Sequence, residues 1–117
     1  MTSGARIYHI ALRSDWHQAK AEGEYRVSTR GRTLDEEGFI HASTAEQVAL
    51  VGNLFYADAD DLVLLVIDAE RLTARLQFDP VPGADQPFPH IYGPLNVDAV
   101  VEVLPLTRDA AGRFRFP

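Results

Sequence analysis

Residues 5–12 alternate, with Ile7, His9 and Ala11 on one side and Tyr8, Ile10 and Leu12 on the other, which predicts a first strand. Ser14 then stands where it would cap a short helix running through Asp15, Trp16, Ala19 and Lys20 to a stop near Gly23. Residues 25–27 read as a short strand, and the charged stretch 30–38, with two glycines, reads as a surface loop. Residues 39–42 predict a strand that runs straight into a helix. Thr44 followed by Gln47 is a capping box, and Val48, Val51, Leu54 and Phe55 mark one helix face. Asp58, Asp60 and Asp61 end that helix. Residues 62–68 form a continuous apolar strand of the kind covered on both faces. Residues 75–78, 97–106 and 113–116 are further strands. Residues 79–89 form a long loop stiffened by Pro80, Pro82, Pro87 and Pro89.

Two main helices cannot supply crossovers for so many strands, so the sheet should be mostly antiparallel, bent or split, and the fold class α+β. A chain of 117 residues is one domain by length, here residues 5–117, with residues 1–4 expected to fray. The 46% apolar content is enough to fill a core. The formal net charge of −6 disfavours bulk nucleic acid and anionic membrane surfaces. The longest apolar run, Leu62 through Ile67, is far short of the ~20 residues that a membrane helix needs. No basic, apolar leader opens the chain, so a cytoplasmic location is the expectation. The absence of cysteine removes disulfides, thiol nucleophiles and iron–sulfur clusters.

No phosphate-cradling glycine motif, HExxH, GxSxG or calcium loop occurs. Asp58-Ala59-Asp60-Asp61 lacks the glycine and distal glutamate of a calcium loop and reads as a solvated helix end. His17 falls on a helix surface. His9, His41 and His90 instead sit in apolar segments, where a histidine left without hydrogen bonds costs about 1–3 kcal/mol. On strands, His9 shares a face with Ile7 and Ala11, His41 with Phe39 and Ser43, and His90 with Tyr92. Two explanations stand side by side. In one, the three line one polar cleft with Ser43, Thr44 and Tyr92; in the other, each is a satisfied core residue, with His9 and His41 paired across a sheet. Likewise Thr44 serves as a helix cap, and Trp16 and Tyr25 fit a core role. A three-imidazole metal site is a further alternative, but separations of 32 and 49 residues are not metal-motif spacing, and no metal is expected.

Three segments, Ile7-Tyr8-His9-Ile10-Ala11-Leu12, Gly38-Phe39-Ile40-His41-Ala42-Ser43-Thr44 and Phe88-Pro89-His90-Ile91-Tyr92-Gly93-Pro94-Leu95, identify the chain as a member of the small bacterial family known as domain of unknown function 952, over about residues 7–114. The first two also resemble the ADP-ribosyltransferase superfamily, in particular its RNA 2′-phosphotransferase branch. Tyr8-His9 matches the start of that branch's Tyr-His-Gly-Thr segment, and His41-Ala42-Ser43 the end of its His-x-His-x-Ser segment. The resemblance implies a split antiparallel sheet gripping NAD as substrate. His9 would bond the adenosine ribose or the nicotinamide end, and Ser43 would lie near the nicotinamide ribose. Ile10-Ala11 replaces Gly-Thr, and Phe39 stands where the branch has its first histidine.

The expected reaction is transfer of an ADP-ribosyl group to a small molecule or a protein. Asp98 or Glu102 would steady positive charge on the ribose, His41 would orient a hydroxyl or shuttle a proton, and Arg13 or Arg26 would hold the pyrophosphate. His9, His41, Ser43 and His90 are the catalytic candidates, and Tyr8, Thr44, Tyr92, Trp16, Arg13 and Asp98 the substrate-binding ones. Beside Ser43, the N-terminus of the helix capped by Thr44 is also favourable ground for a ligand phosphate. The alternative is a non-catalytic module on the same fold that binds a nucleotide or a protein.

Overall fold

The structure, a computed structural model, describes residues 5–117. The expected fraying of residues 1–4 falls outside the described residues. In chain order the elements are β1 (Arg6–Leu12), α1 (Arg13–Glu22), β2 (Glu24–Tyr25), β3 (Val27–Thr29), β4 (Arg32–Thr33), α2 (Leu34–Glu37), β5 (Ile40–His41), α3 (Ala45–Phe55), β6 (Leu62–Asp68), β7 (Arg75–Asp79), β8 (Phe88–Tyr92), β9 (Leu95–Asn96) and β10 (Val100–Leu106). Single 3₁₀ turns span Ala69–Arg71 and Val97–Ala99.

The apolar run of β6 forms the middle strand of a three-stranded sheet ordered β1-β6-β10. Leu62, Leu64 and Val66 lie opposite Leu12, Ile10 and Tyr8 of β1, and Val63, Leu65 and Ile67 lie opposite Ala11, His9 and Ile7. Because the strand is buried on both faces, each set enters its own core. Val63, Leu65 and Ile67 meet Trp16, Tyr25, Ile40 and Ile91, while Leu62 and Leu64 meet Val48, Val51, Phe88 and Phe114. Full burial of each such side chain contributes about 1.5–3 kcal/mol, so β6 anchors both layers. A second three-stranded sheet, ordered β5-β8-β7, and two two-stranded ribbons complete the fold. Every strand pairing is antiparallel, as expected for this α+β class.

The two larger sheets meet at one isolated bridge, where Tyr8 N donates to Ser43 O at 2.8 Å and Ser43 N to Tyr8 O at 2.7 Å. The sheet is therefore split where β1, which carries His9, meets the segment that follows His41 of β5. Among the described residues no helix is long and apolar enough to cross a membrane.

Several elements depart from the sequence pattern for identifiable reasons. Ser14 does not cap α1, because Leu12 occupies the N-cap position and Arg13 N donates to Asp61 O at 3.0 Å. The stretch read as a loop over 30–38 contains the one-turn helix α2, closed by a capping box in which Thr33 N donates to Glu36 Oε1 at 2.8 Å. On α3, Val48 and Val51 are buried, but Leu54 and Phe55 are exposed. The buried stripe turns toward Gly52, whose missing side chain lets Phe114 approach: a Cβ there would stand 3.2 Å from the Phe114 side chain. The last strand, expected over 113–116, shrinks to a single bridge between Arg108 and Phe114. The strand expected from 97 begins only at Val100, after the second 3₁₀ turn.

Gly93 ends β8 with φ 158°, and a Cβ placed on it would lie 2.8 Å from the Ala74 Cβ. Gly93→Ala should therefore cost about 1–3 kcal/mol through overpacking. Urea unfolding should show this loss, and adding Ala74→Gly should restore part of it. Wild-type stability of the single variant would refute the tight approach.

Candidate functional site

The β5-β8-β7 sheet has two unlike faces. Ile40, Ile91 and Leu76 turn into the core. On the other face, the register sets His90 between His41 of β5 and Gln77 of β7, with Arg75 opposite Tyr92 and Asp79 opposite Phe88. The β7–β8 hairpin thus presents a histidine, a tyrosine and a carboxylate, and β5, distant in sequence, adds His41.

These groups form a row. Asp79 Oδ2 accepts from His90 Nδ1 at 2.8 Å and from the Tyr92 hydroxyl, and Asp79 Oδ1 accepts from Gln77 Nε2 at 2.6 Å. Led by the Gln77 and Tyr92 bonds, these donors hold the Asp79 carboxyl at about 2, below its ordinary range. An ionised carboxylate only accepts, so His90 carries its proton on Nδ1 and offers a lone pair at Nε2. That nitrogen lies 3.2 Å from His41 Nδ1, which donates to it when both rings are neutral. His41 Nε2 is left unprotonated and without a hydrogen-bond partner among the described residues, yet it is not sealed from solvent. Burial, reinforced by the neighbouring His90, lowers His41 to about 4. Phe39 stacks on the His90 ring at 4.0 Å, and the Arg75 guanidinium lies 4.6 Å from the Tyr92 ring centroid.

His41 and His90 open onto a cavity of about 540 Å³, within the range of small-molecule sites. Phe39 and Phe55 supply apolar wall, Val81 comes from the proline-rich loop, and Thr29 and Glu37 add polar groups. Arg30, from the β3–β4 turn, and Arg32, from β4, line the same cavity. Arg30 pairs with Asp58 at 2.5 Å and Arg32 with Glu37 at 3.0 Å. Two other clefts lack histidine. One of about 190 Å³ is lined by Asp15, Glu22, Glu24 and Arg26 among others, and one of about 490 Å³ by Thr44, Glu46, Gln47 and Phe78 among others.

His9 lies apart from this cavity, 3% exposed, on the core face of β1. Its Nδ1 donates to the His41 carbonyl at 2.6 Å, and its Nε2 accepts from the Tyr25 hydroxyl at 2.9 Å. Desolvation lowers it to about 4 and keeps it neutral. Both nitrogens of His9 and of His90 are thus in use, so the three imidazoles do not converge on an open point. No group of three or more metal-ligating side chains occurs among the described residues.

The remaining sequence candidates are dispersed. Ser43 is buried at the seam between the sheets, with its backbone bonded to Tyr8. The Tyr8 ring packs edge-on against Phe116. Thr44 begins α3, its N–H donating to Gln47 Oε1 at 2.9 Å, and faces a cleft other than that of His41. Trp16 is a core residue of α1. Arg13 is paired with Asp61 at the surface, at 2.7 Å. Asp98 accepts from Asn96 at 2.6 Å beside the second 3₁₀ turn, and neither it nor Glu102 lines the histidine cavity. Sequence reasoning missed Asp79, Arg30, Arg32 and Glu37. The alternation Arg75-x-Gln77-x-Asp79 facing Phe88-x-His90-x-Tyr92 was the available signal for Asp79.

An α+β domain with an antiparallel sheet split at a histidine-bearing seam is the class that fold and cavity define. The chain belongs to the family described as "Protein of unknown function (DUF952)", which it matches over residues 10–103. It is similar to protein CC0527 from Caulobacter crescentus. The crystal structure of that protein is 34% identical, with TM-score 0.82, covering 95% of this chain and 94% of that one. Its solution structure is 35% identical, with TM-score 0.76, covering 92% and 90%. No curated protein matches the chain.

Two expectations follow. His9 and His41, both near 4 when folded, return toward the ordinary ~6.5 on unfolding, so the unfolded chain binds more protons between those values. Stability should be full above about pH 6.5 and fall as pH drops toward 4. His9 contributes up to about 1.4 kcal/mol per pH unit, and the more hydrated His41 less. Urea unfolding at several pH values reads this directly, and a flat profile would contradict the assignment. Secondly, His9→Ala should cost about 3 kcal/mol or more, since it strands the Tyr25 hydroxyl and the His41 carbonyl, while His41→Ala should cost only about 1–2 kcal/mol. Equal losses in thermal melts would dissolve the distinction between clamp and cavity histidine.

Proposed function

We propose that the cavity around His41 binds a phosphate-bearing ligand of the nucleotide class, and that it serves an ADP-ribosyl-transfer-like reaction with NAD as substrate. One observation carries this reading: the open nitrogen of His41 shares a cavity with two arginines. In a chain of net charge −6, two guanidinium groups beside one cavity form a local field that draws an anion. Their planar forks suit a pyrophosphate, and Phe39 and Phe55 offer faces on which a base or a nicotinamide ring can stack. The present partners of the arginines, Asp58 and Glu37, belong to exposed pairs of a kind that hold weakly, so a ligand phosphate can replace them.

Arg30 and Arg32 take the pyrophosphate role first given to Arg13 or Arg26. Glu37, the carboxylate that lines the cavity, takes the ribose-stabilising role first given to Asp98 or Glu102. The pairing of Glu37 with Arg32 favours a second reading, in which the same cavity binds the nucleotide without turnover.

ADP-ribose and NAD should each raise the melting temperature, by the equivalent of about 2.7 kcal/mol at a hundredfold excess over Kd. Arg32→Ala should weaken the response, while Arg13→Ala should leave it unchanged. Absence of any shift with millimolar ligand on folded protein would overturn the ligand assignment. Binding without nicotinamide release from NAD would select the second reading.

A further inference from the structure

Resting on the reading of this cavity as a ligand site, we infer that the Asp79–His90–His41 row makes His41 a general base toward a hydroxyl group, with Asp79 and His90 as its positioning residues. One charge in the row is fixed. Asp79 is held ionised by three donors, and its Oδ2 lies 2.8 Å from His90 Nδ1. A lone pair on that nitrogen would face the carboxylate and be repelled, so the proton belongs there. In the neutral ring the lone pair of His90 then lies at Nε2, 3.2 Å from His41 Nδ1, and the same exclusion fixes the second ring. One carboxylate thus sets two tautomers, and the outcome is a basic nitrogen on the half-buried ring that lines the cavity.

Such a nitrogen accepts; it cannot donate to a phosphate oxygen while neutral. The complementary ligand group is a hydroxyl, from a ribose or an alcohol acceptor. In the step this geometry supports, the O–H bond breaks, an N–H bond forms at His41 Nε2, and the oxygen keeps the electron pair for attack. One positive charge then rests on the His41–His90 pair, facing the Asp79 carboxylate, which steadies it without taking the proton. The other groups around His41 act on the same proton. Glu37 favours the charge, while Arg30 and Arg32, which line the same cavity, carry charge of the same sign as the protonated ring. A bound phosphate would offset the two arginines and raise the basicity of His41 once ligand is present. Tyr92, bonded to the same Asp79 oxygen, holds the carboxylate in place.

The test is a histidine ¹⁵N tautomer spectrum of the full chain at pH 7, without ligand and then with ADP-ribose. In the free protein His41 should carry its proton on Nδ1. In Asp79→Ala the ring should swing toward the Nε2–H form, which a merely structural carboxylate would not cause. An Nε2–H form of His41 in the wild type overturns the proposal whether or not the variant folds. So does an unchanged tautomer in a folded variant. With ADP-ribose, the His41 Nε2 resonance should shift as a ligand hydroxyl donates to it. Stabilisation by ADP-ribose with that resonance unmoved overturns the base role and leaves the ligand site standing. No stabilisation at all, with the expected free-state tautomer, overturns the ligand reading and the base role with it, and leaves the positioning row intact.

Discussion

The hydrogen bond from His9 to the backbone carbonyl of His41 is the constraint on which the site depends. The two three-stranded sheets meet at the Tyr8–Ser43 bridge, and β5 is only two residues long. A strand so short has little pairing of its own to fix its position. The imidazole of His9 supplies what is missing: it grips the His41 carbonyl at 2.6 Å from the core side and is itself fixed by Tyr25. The side chain of His41 then leaves the seam in the opposite direction, toward the cavity. Loss of this clamp would free the ring whose placement matters most, even though His9 never touches the cavity.

Three histidines of one chain thus acquire three characters from their surroundings alone. His9 has a carbonyl on one nitrogen and a hydroxyl on the other, so it is a structural connector. His90 has a carboxylate on one side and another imidazole on the other, so it transmits orientation. His41 has a partner on one side only, so it retains an open lone pair. Burial keeps His9 and His41 neutral at pH 7, and a neutral ring can donate and accept at once. A charged imidazole could do neither the clamp's accepting task nor the base's.

The sequence made the scaffold legible where local chemistry and periodicity agree. The unbroken apolar run of β6, the alternation of β1 and the Thr44–Gln47 box all stand in the structure as their patterns imply. The pattern fell short where tertiary contact decides. Leu54 and Phe55 have helical spacing with Val48 and Val51, but Gly52 rotates the buried stripe away from them. The site was legible only in part. His41 and His90 lie within apolar segments, and that oddity marked them as polar groups in need of partners. Their pairing depends on the β5–β8 register across 49 residues, which no local signal specifies. Asp79 was hidden by its position at the edge of a proline-rich loop, where it read as an entry to the turn. Only the β7–β8 register turns it toward His90.

Two arginines at one cavity of an acidic chain are stable because each is held in an ion pair. Arg30 sits in the tight turn between β3 and β4 and Arg32 opens β4, with Gly31 between them at φ 75°, and both line the same cavity. Like charges so close would repel, but each rests on a carboxylate from a different element, Asp58 beyond α3 and Glu37 at the end of α2. The pairs are open enough to water to break, Asp58 with solvent to retreat into and Glu37 against the cavity wall. The polar row behind them is the opposite case. Asp79 is bound by three donors on a rigid hairpin and has no such freedom. The cavity therefore joins a rim of exchangeable ion pairs to a fixed row of polar groups, and on the proposed reading it is the difference in rigidity between the two that would let one accept a ligand while the other stays aligned.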